Sequence, residues 1–336
     1  MPSTDLTRRL QRVIAPVEGL TRRAMRPLGR RGFPLLPPPV PTGVEVPETP
    51  DDLGAEYDTD WARRPLASGV RRVITRGPLR LATMLVARPS VDGVDRLSDL
   101  AELDPSPPLI FAPNHHSHLD TLLMSSVVPN PWREHLVVAA AADYFFDQRW
   151  KAALSALALN AIPIDREVTN RRSSDRFRAL VEGGSSLLIY PEGGRSPDGW
   201  GQSFRGGAAY LSARTGAAVV PVYIDGTGAI FGKGASRLRP GRTRVVFGRP
   251  MQPAEGENTR RFNERIEQAV NRLALEANGD FWSAARMAAS GDSTGLHGPS
   301  ASTWRRAWAL TEFRRRGVGG RSARARAWPD LGRRSD

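Results

Sequence analysis

Between residues 109 and 277, short apolar runs alternate with longer stretches whose apolar positions recur every three or four residues. The runs at 109–112, 136–140, 186–190, 218–224 and 243–247 are rich in Val, Ile, Leu and Ala and too short for helices, which predicts strands. The stretches at 120–128, 143–159, 173–182 and 205–215 between them, and 258–277 after them, predict helices. Strands separated by helices predict an α/β fold with a largely parallel, mixed sheet covered by helices on both faces. Upstream, 66–85 has helical spacing, and the Pro- and Asp-rich stretch 89–108 leads into the first convincing strand.

The pattern changes at both ends. In the first 26 residues Leu6, Leu10, Val13, Ile14, Val17 and Leu20 recur near the helical period with arginines between them, interrupted by Pro16. This suits an interfacial amphipathic helix, a helix packed on its own domain, or a tail. Residues 33–60 are rich in Pro, Asp and Glu and predict an extended linker. Beyond residue 289 the composition turns to Gly, Ser and Arg. Three segments follow: a basic amphipathic segment with linker at 1–60, a catalytic body at 61–288, and an Arg-rich, flexible tail at 289–336.

Charge sharpens this division. The formal net charge is +13. Residues 1–31 hold eight arginines against Asp5 and Glu18, and residues 303–336 hold ten against Glu312, Asp330 and Asp336, so the stretch between is formally neutral. Basic ends around a neutral body point to an anionic partner, a lipid surface or nucleic acid. With Lys151 and Lys233 the only lysines, the arginine excess also fits a GC-rich coding bias. No apolar run approaches the roughly 18–20 residues that span a bilayer, and no secretory signal opens the chain. The absence of cysteine excludes disulfides, Cys-ligated zinc and a cysteinyl acyl intermediate.

Candidate chemistry sits where predicted strands end. The first strand runs into Pro113, Asn114 and the sequence His115-His116-Ser117-His118-Leu119-Asp120, just before a helix. The carboxyl end of a strand in an open α/β sheet is a favourable place for catalysis. Asp120 lies in the first helical turn and His115 before it, so the chain can fold back and let them meet. A carboxylate on one imidazole nitrogen fixes the tautomer and stabilises the cation formed when the other nitrogen takes a proton. Such a pair can remove a proton from an alcohol. Ser117 and Asp120 also have the spacing of a capping box, so Asp120 has a structural role available as well. His116 and His118 suit surface or packing positions. His116-x-His118-x-Asp120 also resembles half of a metallo-β-lactamase metal motif, but Thr121 stands where that motif has His, and His135 and His297 are the only further histidines.

A second polar loop follows the run at 186–190: Tyr190-Pro191-Glu192-Gly193-Gly194-Arg195-Ser196. Its glycines permit close backbone approach to a ligand, and Arg195 offers a planar fork of donors suited to phosphate. Arg205 then opens a helix whose amino end favours anions. An ordinary Gly-rich turn with a Glu192–Arg195 ion pair would fit the same residues. The segment Ile162-Pro163-Ile164-Asp165-Arg166 is weak by itself. There is no Gly-x-Ser-x-Gly elbow, Walker loop or dinucleotide fingerprint. Tyr144, Phe145, Phe146 and Trp150 begin an unusually apolar stretch, read first as a core helix and second as a membrane patch or acyl groove.

Taken in order, these segments resemble the glycerolipid acyltransferases, typified by the lysophosphatidate (1-acylglycerol-3-phosphate) acyltransferases. "NHHSHLD" matches their first motif, "IPIDR" their second, "YPEGGRS" with "SFRGG" their third, and "VVPVYI" their fourth, over roughly residues 80–250. The resemblance implies that His115 is the general base and Asp120 its orienting partner, with Asn114 and Ser117 in support. It implies that Glu192, Gly193, Gly194, Arg195 and Ser196 line the acceptor site, that Arg166 and Arg195 hold a phosphate, that Arg205 assists, and that Pro221 shapes an apolar wall. Gly194 stands where the family commonly has Thr, which removes a hydroxyl near the acceptor.

The expected reaction is transfer of a fatty acyl group from acyl-CoA or acyl carrier protein to 1-acylglycerol 3-phosphate, giving phosphatidic acid in phospholipid biosynthesis. No metal or cofactor is expected, and backbone amides after Pro113 are candidate oxyanion donors. The expected setting is the cytoplasmic face of an anionic membrane, peripherally bound, with no nucleic-acid partner. Another lipid acceptor, or a non-catalytic membrane protein on the same fold, are the alternatives.

Overall fold

The computed structural model describes residues 53–164, 171–196, 199–279, 282, 284–286 and 296. The expected amphipathic segment at the start, Arg166, and most of the expected Arg-rich tail lie outside the described residues. Among the described residues seven strands form one sheet: β1 (Pro89–Asp92), β2 (Leu109–Pro113), β3 (Leu136–Ala141), β4 (Ala161–Ile164), β5 (Ser186–Leu188), β6 (Ala218–Asp225) and β7 (Thr243–Phe247). Their order is β1-β7-β6-β2-β5-β3-β4. Every pairing is parallel except β6 with β7.

Among the described residues the α-helices are α1 (Pro65–Arg76), α2 (Pro78–Ala87), α3 (Ser98–Ala101), α4 (Leu119–Val127), α5 (Ala142–Phe145), α6 (Arg149–Leu159), α7 (Arg171–Glu182), α8 (Gly207–Thr215), α9 (Thr227–Phe231) and α10 (Thr259–Asn278). Alternation along the strands sends side chains to two cores. Leu109 and Phe111 of β2 pack with Ala87 of α2, Leu123 and Met124 of α4 and Ala152 of α6. Ile110 and Ala112 pack with Phe177 of α7, Ala208 of α8 and Phe262, Ile266 and Val270 of α10. Burial on both faces explains why the strands read as continuous apolar runs rather than alternating ones.

Four expectations are corrected. The single helix at 66–85 is two, because Pro78 lacks an amide hydrogen and starts a new helix after Gly77. The helix at 143–159 is likewise two, parted before Gln148, whose extended backbone precedes α6. Residues 89–92, expected in a connection, form β1 beside β7. Residues 161–164 form β4 at the sheet edge, a place where Pro163 withholds no hydrogen bond from an inner ladder. The last helix starts as expected, with the Asn258 side chain accepting from the Arg261 amide at 2.9 Å. Among the described residues no helix is long and apolar enough to cross a membrane.

Candidate active site

β2 and β5 are parallel neighbours, so the loops that follow them leave the same edge of the sheet. The helix after β2, α4, packs on one face, and the helix after β5, α8, on the other. The two loops therefore diverge over a crevice, the place where open α/β sheets hold ligands. Asn114 fixes the first loop. Its side-chain amide donates to the Ile224 carbonyl (2.9 Å) and accepts from the Ile224 amide (2.7 Å), so it prolongs the β2–β6 ladder by one side chain.

His115 and Asp120 meet as expected, Nδ1 to Oδ2 at 2.9 Å. The same oxygen accepts from the backbone amides of His116 and Ser117, each at 2.8 Å. Asp120 thus closes the turn that leads into α4 and orients the imidazole at once. Ser117 completes the turn: its hydroxyl accepts from the Leu119 amide (3.1 Å) and donates to the Phe231 carbonyl.

Asp120 is fully buried. Burial by itself would raise its carboxyl, but the bond and charge of His115, the nearby Thr227 hydroxyl and the Ser117 amide outweigh that and hold it below the usual carboxylate range. The Asp120 Oδ1 and Thr227 Oγ1 atoms are both buried without a well-formed hydrogen bond. With Nδ1 occupied, Nε2 is the nitrogen left to meet a reactant.

The second loop is placed by Glu192, and here the structure departs from expectation. Glu192 is buried, and its two oxygens accept from the backbone amides of His115 (2.9 Å) and Gln202 (3.0 Å). It braces the two loops together. Ser196 does the same from its backbone: its amide donates to the His115 carbonyl at 3.0 Å, and its hydroxyl accepts from Gly199.

The amides expected as oxyanion donors are also committed. Those of His115, His116 and Ser117 all point at Glu192 or Asp120. Pro221 packs against Gly248 and is not among the residues that line the cavity described below. Gly193 adopts φ +70°, and a side chain there would strike the Arg205 guanidinium, 2.6 Å from the Cβ position.

The crevice opens into a cavity of about 460 Å3. His115, His118, Thr121, Tyr190, Gly193 and Gly194 form its polar end with Arg205 and the exposed start of α8. Its walls are mostly apolar, from Val138–Ala141, Phe145, Leu159, Phe177 and Leu211. Glu192, Arg195 and Ser196 are not among the lining residues; the Arg195 guanidinium lies 5.9 Å from the Tyr144 ring centre.

His118 is both a packing residue and a wall of the cavity, stacked on Tyr144 with ring centres 4.4 Å apart. His116 sits beside Gly228 instead, so the two do not converge as metal ligands would. The apolar stretch at 144–164 is divided: Phe146, Ala152 and Ala156 belong to the core, Phe145 and Leu159 to the cavity, and Tyr144, Trp150 and Leu154 to the surface. Three residues of the site escaped the sequence. Tyr190 reads as the last residue of a strand, Thr121 as helix interior and Thr227 as part of a turn.

Residues 91–225 match the family model described as Acyltransferase. Relatives of the chain include the chloroplast 1-acyl-sn-glycerol-3-phosphate acyltransferase LPAT1 of Arabidopsis thaliana, 30% identical over 45% of this chain and 41% of that protein. A 1-acyl-sn-glycerol-3-phosphate acyltransferase of Limnanthes alba is 36% identical over 39% of this chain and 46% of its own length. Another from Pseudomonas aeruginosa is 29% identical over 51% of this chain and 66% of its own. This chain thus spans two thirds or less of each relative's length. Among solved structures, PlsC from Thermotoga maritima aligns over 66% of this chain and 83% of that one, at 24% identity and a TM-score of 0.45. Residues 91–225 contain β2, β5, both site loops and the His115–Asp120 pair.

Proposed function

We propose that this protein transfers a fatty acyl group from an acyl thioester to a hydroxyl of a glycerol-phosphate acceptor, with 1-acylglycerol 3-phosphate the foremost substrate. The observation that carries this is the buried His115–Asp120 pair at the polar end of a mostly apolar cavity. His115 Nε2 takes the proton of the acceptor hydroxyl as the oxygen attacks the thioester carbonyl. The C–S bond breaks, the new ester forms, and the proton leaves on the thiol. Asp120 stabilises the transient imidazolium. Transfer is direct, without a metal or resident cofactor. Arg205, beside the open start of α8, supports binding of the acceptor phosphate together with Arg166 and Arg195. The apolar walls suit an acyl chain.

The acceptor's residence in a bilayer fits a second feature. Leu66 (87% exposed), Val70 and Val73 form one stripe along α1, and Leu81 and Leu85 another along α2. Arg72 and Arg76 share Glu134, and Arg80 and Arg76 crowd Arg133, so cations outnumber acids there. An apolar stripe rimmed by arginine supports adsorption to an anionic lipid surface, each cation contributing about 1 kcal/mol near such a surface.

The test is thiol release from palmitoyl-CoA, or the matching acyl carrier protein thioester, with 1-acylglycerol 3-phosphate in vesicles. Release that requires the acceptor, and that falls about 10²–10⁴-fold in His115→Ala, is expected. No release from the unaltered protein with either donor and any phosphorylated glycerol acceptor would sink the proposal.

A further inference from the structure

A single in-plane hydrogen bond does not fix an imidazole. With only the Nδ1 contact to Asp120, the His115 ring could still rock about its Cβ–Cγ bond, within the loose angular tolerance of a hydrogen bond, and swing Nε2 relative to the cavity. The face of the ring is closed by Tyr190, whose ring centre lies 4.0 Å from that of the imidazole with the planes 25° apart. Two nearly parallel rings in contact restrict the rotation that the hydrogen bond leaves open.

Tyr190 is itself held at both ends. Its backbone follows directly from Ile189, whose amide continues the pairing with β2 through the Phe111 carbonyl. Its hydroxyl meets Thr121 Oγ1 at 3.1 Å, and Thr121 follows Asp120 in the same turn of α4. The ring is therefore tied to the helix that carries the carboxylate. Burial, and then the Asp120 charge, push the Tyr190 phenol well above its ordinary value, so the hydroxyl stays protonated and the tie is kept at neutral and mildly alkaline pH.

We propose that Tyr190 is a positioning residue, whose ring sets the plane of the His115 imidazole and aims Nε2 into the cavity while Thr121 holds that ring in place. This rests on His115 acting as the base. The tyrosine touches the base from the face, where it neither gives nor takes the transferred proton, so its removal should affect the chemical step more than substrate affinity.

The experiment compares Tyr190→Phe, Tyr190→Leu and Thr121→Val in the full chain, by steady-state acyl transfer with donor and acceptor varied separately. Phe keeps the stacked face and loses only the tie, so its kcat should fall about 3–10-fold, less than that of the Leu variant, and Thr121→Val should match it. Leu removes the face, and kcat should fall about 10–100-fold with both KM values within about threefold, the loss expected of a misaimed catalytic group. A Leu variant with unchanged kcat overturns the proposal, as does a rise in KM that accounts for the whole loss.

If the Leu variant fails to fold, the ring protons of His115 decide by NMR. In the unaltered and Phe proteins they should lie upfield of those of the exposed His135, and an undisplaced signal overturns the stack. Acyl transfer that survives His115→Ala would instead overturn the function beneath the proposal, whatever the tyrosine variants do.

Discussion

The loops after β2 and β5 carry equally polar sequences but use them differently. In the first, Asp120 gathers an imidazole and two backbone amides on one oxygen, and the result points chemistry outward through His115. In the second, Glu192 turns inward and spends both oxygens on backbone, one of them the amide of His115 itself. One carboxylate prepares a base, and the other joins the loop of that base to its neighbour. A motif acid is thus defined by what its oxygens accept from, which its position in the sequence does not reveal.

Substitutions along the two loops should rank accordingly. Asp120→Asn comes first. An amide cannot accept on one oxygen from three donors and balance an imidazolium, so kcat should fall at least about 10²-fold, and unfolding should ease by about 3 kcal/mol for a broken buried pair. Because the Asp120 carboxyl is held low in the folded protein, its stabilisation is full above the ordinary carboxylate value. It is lost as pH falls through the lower folded value. Denaturant unfolding of the two proteins should therefore differ most near neutrality and converge in acid. A gap that widened on acidification would contradict the charge assignment.

Glu192→Gln ranks second. One oxygen of the brace becomes a donor facing an amide, so stability should fall by about 1–3 kcal/mol, while activity declines through displacement of the His115 loop. A variant with unchanged stability but lost acceptor binding would return Glu192 to the acceptor site and erase the contrast between the loops.

The adjacent glycines offer a finer comparison. Gly193→Ala meets both a left-handed backbone and the Arg205 side chain, and should cost about 1–3 kcal/mol in thermal or denaturant unfolding. Gly194 has no positive φ, and a Cβ there meets nothing within 4 Å. Gly194→Ala should change stability by no more than about 0.5 kcal/mol. Any effect it has should appear in which acceptors are used, since Gly194 borders the cavity.

Much of this was legible in advance. The five apolar runs became inner strands because a sheet buried on both faces demands continuous apolar sequence, and that demand leaves a plain trace. β1 and β4 escaped because edge strands tolerate polar residues and proline, as Ser90, Asp92 and Pro163 show. His115 and Asp120 could be paired from spacing, since the fold-back at the start of a helix is local. The grip of Glu192 on the His115 amide, the packing of Pro221 against Gly248 and the stacked Tyr190 could not. Each depends on contacts between strands far apart in sequence, where residue type says little about which face or partner is reached.

The bond pair between Asn114 and Ile224 has a consequence for motion. Loops at the ends of strands ordinarily open on their own, at little free-energy cost. Here the loop of the base is stitched into the centre of the sheet by Asn114, and its next three amides are closed by carboxylates. Those amides should exchange hydrogen with solvent only when β2 and β6 part, as slowly as the core strands do. The reacting centre then behaves as part of the scaffold, and conformational adjustment to a long acyl chain falls to the walls around it.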